Sequence, residues 1–285
     1  MAKQGNHSVD RGSYNLDVDA TFLKDLPPSI RRYTYHGEQQ FFDIFKFEFP
    51  RFKASPNDTS EFILFHASKE TIETLFNPSN EETPIAKLCT SFDTKEELFL
   101  ITMISNAHSA ASHAVNTMIL HSLLPMGLSL SLRGYPGATV TGNDRGKQPD
   151  YGWGPRRRPP GRPDSPCVAL EVAYSDSDSK LNSDVRFWLN PDEGNANICL
   201  TLRIHKSLPE IRIEKWKRQE DRIYPSQATY ITRSGNQFNV TNHPFTIPFE
   251  SLFCRPLSIH KEKDIELSQG QLEEIARMIW DAQGW

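Results

Sequence analysis

Glu171 is the residue of this chain that most needs a chemical explanation. It lies between Leu170 and Val172 in the run Cys167–Tyr174. There Val168, Leu170, Val172 and Tyr174 mark one face of a strand, and Ala169, Glu171 and Ala173 mark the other. A carboxylate in so apolar a run is costly unless it is paired or bound to a metal ion. The small alanines beside it leave room for a ligand. The structural alternative is a strand-edge glutamate paired with an arginine. Asp150 follows Pro149 in the preceding strand-like segment, Lys147–Trp153. The proline cannot donate to a ladder, so a bend or irregularity is expected there. If the two strands pair, Asp150 and Glu171 converge on one point. A divalent cation relieves the repulsion between two such carboxylates and favours hard oxygen ligands. With open coordination positions it can bind a phosphate and activate water.

Other residues bear on the same chemistry. Arg156-Arg157-Arg158 with Arg162 is a dense cationic run between the two carboxylate segments. It is expected near the mouth of the site, where it could grip phosphates in a salt-dependent way. The alternative is a solvated loop held extended by its prolines. Trp153 and Tyr151 could stack on bases, or simply fill the core. His108 and His113 fall five residues apart on a helical stretch, which places them about 140° apart around the axis. They do not form a joint metal site. The sequence contains no P-loop, dinucleotide fingerprint, HExxH or nucleophile elbow. This argues against a nucleotide-driven motor, a kinase and a serine hydrolase. Gly142-Asn-Asp-Arg-Gly146 reads as a turn, not a phosphate cradle.

Elements of both periods must position these groups. Phe45–Phe49 alternates like a strand that Pro50 ends, and Glu61–His66 is a second strand-like run. Ser68 can cap a helix through Phe76. Lys95–Leu124 is the longest helical stretch, with Ala107, Ala111, Ala114, Val115, Met118 and Ile119 at helical spacing. Gly127–Arg133 alternates as a strand, and a helix beginning at Asp178 or Ser179 carries Leu181, Val185, Trp188 and Leu189 on one stripe. Asn197–His205 and Glu210–Trp216 are strands, Thr229–Thr232 and Gln237–Val240 form a hairpin, and a final helix opens with a Ser268/Gln271 capping box. This order predicts a mixed sheet flanked by helices.

The 285 residues carry a net charge of −4 and 37% hydrophobic residues, so a core can be buried and a polybasic coat protein is excluded. None of the four cysteines forms a CxxC pair, which argues against a zinc ribbon, and reduced thiols are expected. No apolar run approaches the roughly 18 residues of a membrane helix. The polar N-terminus lacks the apolar core of a secretory leader. An intracellular setting, cytoplasm or nucleus, is therefore expected.

The ordered segments resemble the PD-(D/E)XK nuclease superfamily, most closely a fungal restriction-endonuclease-like group. The likeness spans about residues 95–255. It rests on a histidine-bearing helix (His108–Leu124), Pro149-Asp150, a proline-rich loop, Ala169-Leu-Glu-Val-Ala-Tyr-Ser-Asp-Ser177, a helix reaching Trp188, two strands and Ile213-Glu-Lys-Trp216. The resemblance implies a restriction-endonuclease-like mixed β-sheet flanked by α-helices, assigned to residues 95–285; the residues before it read as an α+β extension (21–94) after a polar, disordered tail (1–20). It implies phosphodiester hydrolysis with Mg²⁺ or Mn²⁺ held by Asp150 and Glu171, His108 near the site, and a DNA or RNA partner contacted by Arg156, Arg157, Arg158 and Arg162. A homodimer is compatible with it. The chain departs from the motif at its lysine, whose place is taken by Ala173. Some members carry this lysine on the following helix, where Lys180 is the nearest candidate and Arg186 the next. The competing readings are a catalytically degenerate binding protein and the same fold recruited for a small molecule.

Overall fold

The structure, a computed structural model, describes residues 26, 30–55, 59–76, 83–174 and 179–285. The tail expected over residues 1–20 lies outside the described residues. The first part of the chain forms β1 (Arg31–Thr34), α1 (Glu38–Ala54), β2 (Phe62–His66), α2 (Lys69–Leu75), α3 (Pro84–Leu88), β3 (Cys89–Asp93) and β4 (Leu98–Thr102). Next come α4 (Asn106–Leu123), β5 (Leu132–Gly134), β6 (Val140–Thr141), β7 (Arg145–Lys147), β8 (Tyr151–Pro155), β9 (Val168–Ala173), α5 (Ser179–Leu189) and β10 (Ile198–Ile204). The remainder gives β11 (Glu210–Gln219), β12 (Arg222–Ser234), β13 (Gln237–Val240), β14 (Phe245–Ile247), α6 (Phe249–Phe253), β15 (Ile265–Leu267) and α7 (Gln269–Gln283).

Two main sheets result. One has the order β1-β2-β4-β3-β7-β6 and the other β13-β12-β11-β10-β9-β8-β5. In the second sheet β8 and β9 are antiparallel, whereas β9 and β10 run parallel because α5 carries the chain across between them. A helix, three antiparallel strands, a crossover helix and a parallel strand thus follow in sequence. This is the mixed, helix-flanked α/β sheet of restriction-endonuclease-like type expected above. The boundary drawn at residues 94 and 95 falls between β3 and β4, which are paired neighbours of the first sheet. That sheet also takes in β6 and β7.

The helices cover both faces of the second sheet. Ala111, Ala114, Val115 and Ile119 of α4 pack with Leu272, Ile275, Ala276 and Ile279 of α7 against Leu170, Leu200 and Ile213. The alanines of α4 are small enough to let the helices approach closely. On the opposite face Val185, Trp188 and Leu189 of α5 join Ala169 and Cys199 to Phe62, Leu64 and Leu100 of the first sheet. The crossover helix is therefore sandwiched between the two sheets. No helix among the described residues is long and apolar enough to cross a membrane.

Several local expectations are corrected. Phe45–Phe49 lies inside α1, with Pro50, and not in a strand. The alternating phenylalanines coincide with a helical stripe, in which the Phe45 and Phe49 rings stack at 5.3 Å. Lys95–Leu124 is not one helix. Leu98-Phe-Leu-Ile-Thr102 is paired on both sides, and Ser105 starts α4 by accepting from the His108 N–H at 3.1 Å. Of Gly127–Arg133, residues 129–131 form a 3₁₀ turn and only the end enters β5. Lys147–Trp153 is broken in two: Lys147 closes β7 in the first sheet and Tyr151 opens β8 in the second. Pro149, with no N–H for a ladder, sits at the crossing.

Gly146, the residue before Lys147, has no tolerance for a side chain. An added Cβ would lie 2.2 Å from the Phe92 ring, which is itself stacked on Phe76 at 4.7 Å. Gly146→Ala is expected to cost about 1–3 kcal/mol through overpacking, read as a lower urea midpoint at unchanged slope. At the other end of the chain Ser268 and Gln271 form the expected reciprocal capping box on α7. Ser268→Ala is expected to lower stability by about 1 kcal/mol in the same assay.

Candidate active site

The local backbone explains why the two carboxylates meet. β8 and β9 pair with Tyr151 opposite Leu170, which leaves Asp150 just beyond the last paired residue of β8. From there its Oδ2 accepts the Val172 N–H at 2.6 Å. The side chain thus stands in for the ladder acceptor that the chain loses as it bends through Pro149. Glu171 projects from the other face of β9 and is only 3% exposed. Its Oε1 accepts the Trp188 indole N–H at 2.6 Å, and its Oε2 lies 3.0 Å from the Lys147 Nζ.

Lys147 is the residue that sequence reasoning missed. It is 2% exposed and comes from the first sheet, yet its ammonium also reaches Asp184 on α5 at 2.9 Å. Lys180, one turn before Asp184, pairs with the same carboxylate. Lys180, Asp184 and Trp188 form one stripe of α5 at four-residue spacing, turned toward β9. That spacing was visible in the sequence, but nothing in it placed Lys147 opposite the stripe. Lys180 is buried, not the exposed first-turn residue that its position would also allow. Burial pushes its amine down, and the neighbouring Lys147 charge adds to this, against the pull of Asp184. Burial likewise pushes the Glu171 carboxyl up, against the pull of Lys147.

A second charged group faces the first. His108 points inward from the first turn of α4, with Nε2 3.0 Å from Asp150 Oδ1 and Nδ1 3.9 Å from Glu61 Oε2. These are charge contacts and not aligned hydrogen bonds. Both ring nitrogens and both Glu61 oxygens are buried with no hydrogen-bond partner. Burial opposes the imidazolium, but Asp150 and Glu61 outweigh it and hold His108 up to about 10. Burial also opposes ionisation of Asp150, and His108, helped by Lys147 and the Val172 N–H, keeps that carboxyl below its usual range. Glu61, just before β2, was not singled out in the sequence. His113 is exposed and takes no part, as the helical angle required.

His108, Lys147, Asp150, Glu171, Lys180 and Asp184 line a cavity of about 10 Å³, the room of one water molecule. It adjoins a wider pocket of about 310 Å³ that shares Thr90, Thr102, His108 and Asp150 with it. Among the described residues no group of three or more His, Cys, Asp or Glu side chains is placed to enclose a metal ion. Asp150 and Glu171 nevertheless offer hard oxygen donors with free lone pairs. Among the described residues four carboxylates (Glu61, Asp150, Glu171 and Asp184) are paired with the three cations Lys147, Lys180 and His108.

The arginine loop is elsewhere. The β8–β9 hairpin returns the chain so that Asp150 and Glu171 lie at its open end and residues 156–166 at its closed end. Arg156 is six residues along from Asp150, about 20 Å at the rise of a strand. The expectation that these arginines flank the mouth of the site is therefore corrected: adjacency in sequence became the two opposite ends of a hairpin. Arg158 pairs with Asp164, and Arg162 donates to Asn195 O and Asn197 Oδ1. Arg156 and Arg157 are exposed and line a separate pocket with Leu128, Phe253 and Arg255. Trp153 is buried and donates to Asn116 at 3.0 Å, and Tyr151 packs on its ring, so neither is free to stack on a base.

No protein-family model matches the chain, and no curated protein matches it. Solved structures that match include one, determined at 1.96 Å, described as a "putative nuclease belonging to DUF820" from Anabaena variabilis. It has 15% sequence identity and a TM-score of 0.39, over 67% of this chain and 90% of that chain.

Proposed function

We propose that this chain is a metal-dependent nuclease of the PD-(D/E)XK kind, within the fungal group its segments resemble, hydrolysing phosphodiester bonds of DNA or RNA. The observation that carries the reading is the placement of Asp150 and Glu171. They come from neighbouring strands of a mixed sheet and line one small polar cavity, with cationic side chains beside them. Asp150 and Glu171 would hold the Mg²⁺ or Mn²⁺, which, once bound, would activate a water and polarise the scissile phosphate. His108, which lines both this cavity and the wider pocket, is matched to Asp150 by charge and not by an aligned hydrogen bond, so polar capacity remains at the junction of the two.

The chain's own residues have separable tasks. Trp188 fixes the rotation of the Glu171 carboxylate through its N–H. Val172 N–H and His108 hold Asp150 from two sides. Lys147 fills, from a different strand, the cationic place that Ala173 leaves open, and with Lys180 would stabilise charge building on a phosphate. The presence of that cation favours an active enzyme over the degenerate binding protein. The wider pocket favours a second reading, a small phosphate ester, because Lys87 and His108 are the only basic side chains among its lining residues and its volume suits a small molecule.

Calorimetry with Mn²⁺ and incubation with labelled single- and double-stranded DNA and RNA test the reading. The wild type is expected to bind the ion and cleave. Asp150→Asn and Glu171→Gln are each expected to lose binding and to lower cleavage by about 10²–10⁴-fold. Cleavage of a small phosphate ester but of no nucleic acid would select the second reading, and absence of metal binding would overturn the metal site. Lys147→Met leaves Glu171 and Asp184 without their shared counter-charge. It is expected to destabilise the fold by about 3–5 kcal/mol, measured by urea denaturation.

A further inference from the structure

Away from the carboxylates, the closed end of the β8–β9 hairpin carries a feature that the nuclease reading does not use. Cys167, buried at the start of β9, and Cys254, half-buried at the C-terminus of α6, are both free thiols with their sulfurs 3.0 Å apart. The other two cysteines, Cys89 and Cys199, are buried elsewhere. Eighty-seven residues separate the pair in sequence, so tertiary packing alone brings the sulfurs together. The backbone holds both partners. The Cys167 N–H donates to Trp153 O at 2.8 Å and its carbonyl accepts the Asn197 N–H at 2.8 Å. Asn197 Nδ2 in turn donates to Ser251 O at 2.7 Å and lies 3.5 Å from Cys254 Sγ. Arg162, fixed on Asn195 and Asn197, brings its guanidinium charge to the same corner.

We propose that Cys167 and Cys254 form a reversible disulfide, an oxidative modification site that staples the end of α6 to the hairpin. The sulfurs need to approach by only about 1 Å to reach bonding distance. Cys254 is the first to react because it is the more accessible of the two. Its hydrogen-bonding contact with the Cys167 sulfur, joined by the Arg162 charge, draws the Cys254 thiol down to about 6, against the effect of burial. With hydrogen peroxide as oxidant, the Cys254 thiolate attacks one oxygen, the O–O bond breaks, and hydroxide leaves and is protonated to water. The resulting sulfenic acid is attacked by Cys167, which gives up its proton. The S–S bond forms, the S–O bond breaks and a second water departs. Two thiols lose two electrons and two protons, and one peroxide becomes two waters. A dithiol reductant reverses the bridge. The bridge would join the two walls of the arginine pocket, since Pro155 and Arg156 come from the end of β8 while Phe253 and Arg255 flank Cys254.

The test uses the full reduced chain, treated with hydrogen peroxide at neutral pH, freed of peroxide, then unfolded in urea and alkylated without reductant, digested and read by mass spectrometry. The expected result is a linked pair of peptides carrying Cys167 and Cys254, short by two hydrogens, with alkylation lost at both positions and retained at Cys89 and Cys199. Dithiothreitol should restore both thiols. Cys167→Ser is expected to stop at a Cys254 sulfenic acid trapped by dimedone, and Cys254→Ser to leave Cys167 alkylatable but unoxidised. Both cysteines remaining alkylatable after peroxide would overturn the proposal, as would a bridge to Cys89 or Cys199. The wild-type digest decides by itself if a serine variant does not fold.

Discussion

Lys147 places its ammonium between Glu171 and Asp184, at 3.0 and 2.9 Å, in a region sealed from solvent. The three residues belong to β7 of one sheet, β9 of the other and the helix sandwiched between them. An unpaired charge buried here would cost several kcal/mol, so each element is acceptable only with the other two in place. The apolar contacts of Phe62, Leu64, Val185 and Trp188 supply the non-directional attraction between the layers. The charged triad adds direction, because only one register of β7 against β9 brings the ammonium to both carboxylates. From the same helical stripe Trp188 donates to the other Glu171 oxygen, and Lys180 shares Asp184 Oδ1 with Lys147.

The adjoining cluster of Glu61, His108 and Asp150 is built differently. It is buried as deeply, but His108 is matched to Asp150 and Glu61 by charge and not by aligned hydrogen bonds, which leaves four polar atoms of His108 and Glu61 outside any hydrogen bond. A saturated network beside an unsaturated one separates two tasks within a single polar interior. The first holds the layers together while presenting Glu171 to the cavity, and the second keeps polar capacity beside the wider pocket. Asp150 belongs to both, since it also caps the backbone of β9. Such double use explains why an aspartate follows Pro149 at the crossing between the sheets.

The hairpin of β8 and β9 organises the rest. Its open end presents the carboxylates, and its closed end presents Arg156, Arg157 and the paired thiols of Cys167 and Cys254. Two chemically distinct surfaces therefore lie at opposite ends of one rigid element, about 20 Å apart at strand rise.

The sequence alone determined much of the fold and half of the site. The periodicities of β9, α5, β10 and α7, the Ser268 capping box and the anomaly of Glu171 in an apolar run are local properties, legible because a strand repeats every two residues and a helix every 3.6. Where two periods coincide, as in Phe45–Phe49 of α1, the local pattern was ambiguous, and packing of the helix on the first-sheet core, with Phe41 against Phe65 and Phe99, decided for the helix. What no local pattern could show was pairing at a distance. Lys147 meets Glu171 and Asp184, Glu61 meets His108, and Cys167 meets Cys254 only because the chain crosses between sheets and returns. The arginine loop, next to the carboxylates in sequence, ends at the far side of the hairpin for the same reason. Residue types announce which charges must be neutralised on burial. Which opposite charge arrives, and from what direction, is decided by tertiary structure, because the attraction acts through space and not along the chain.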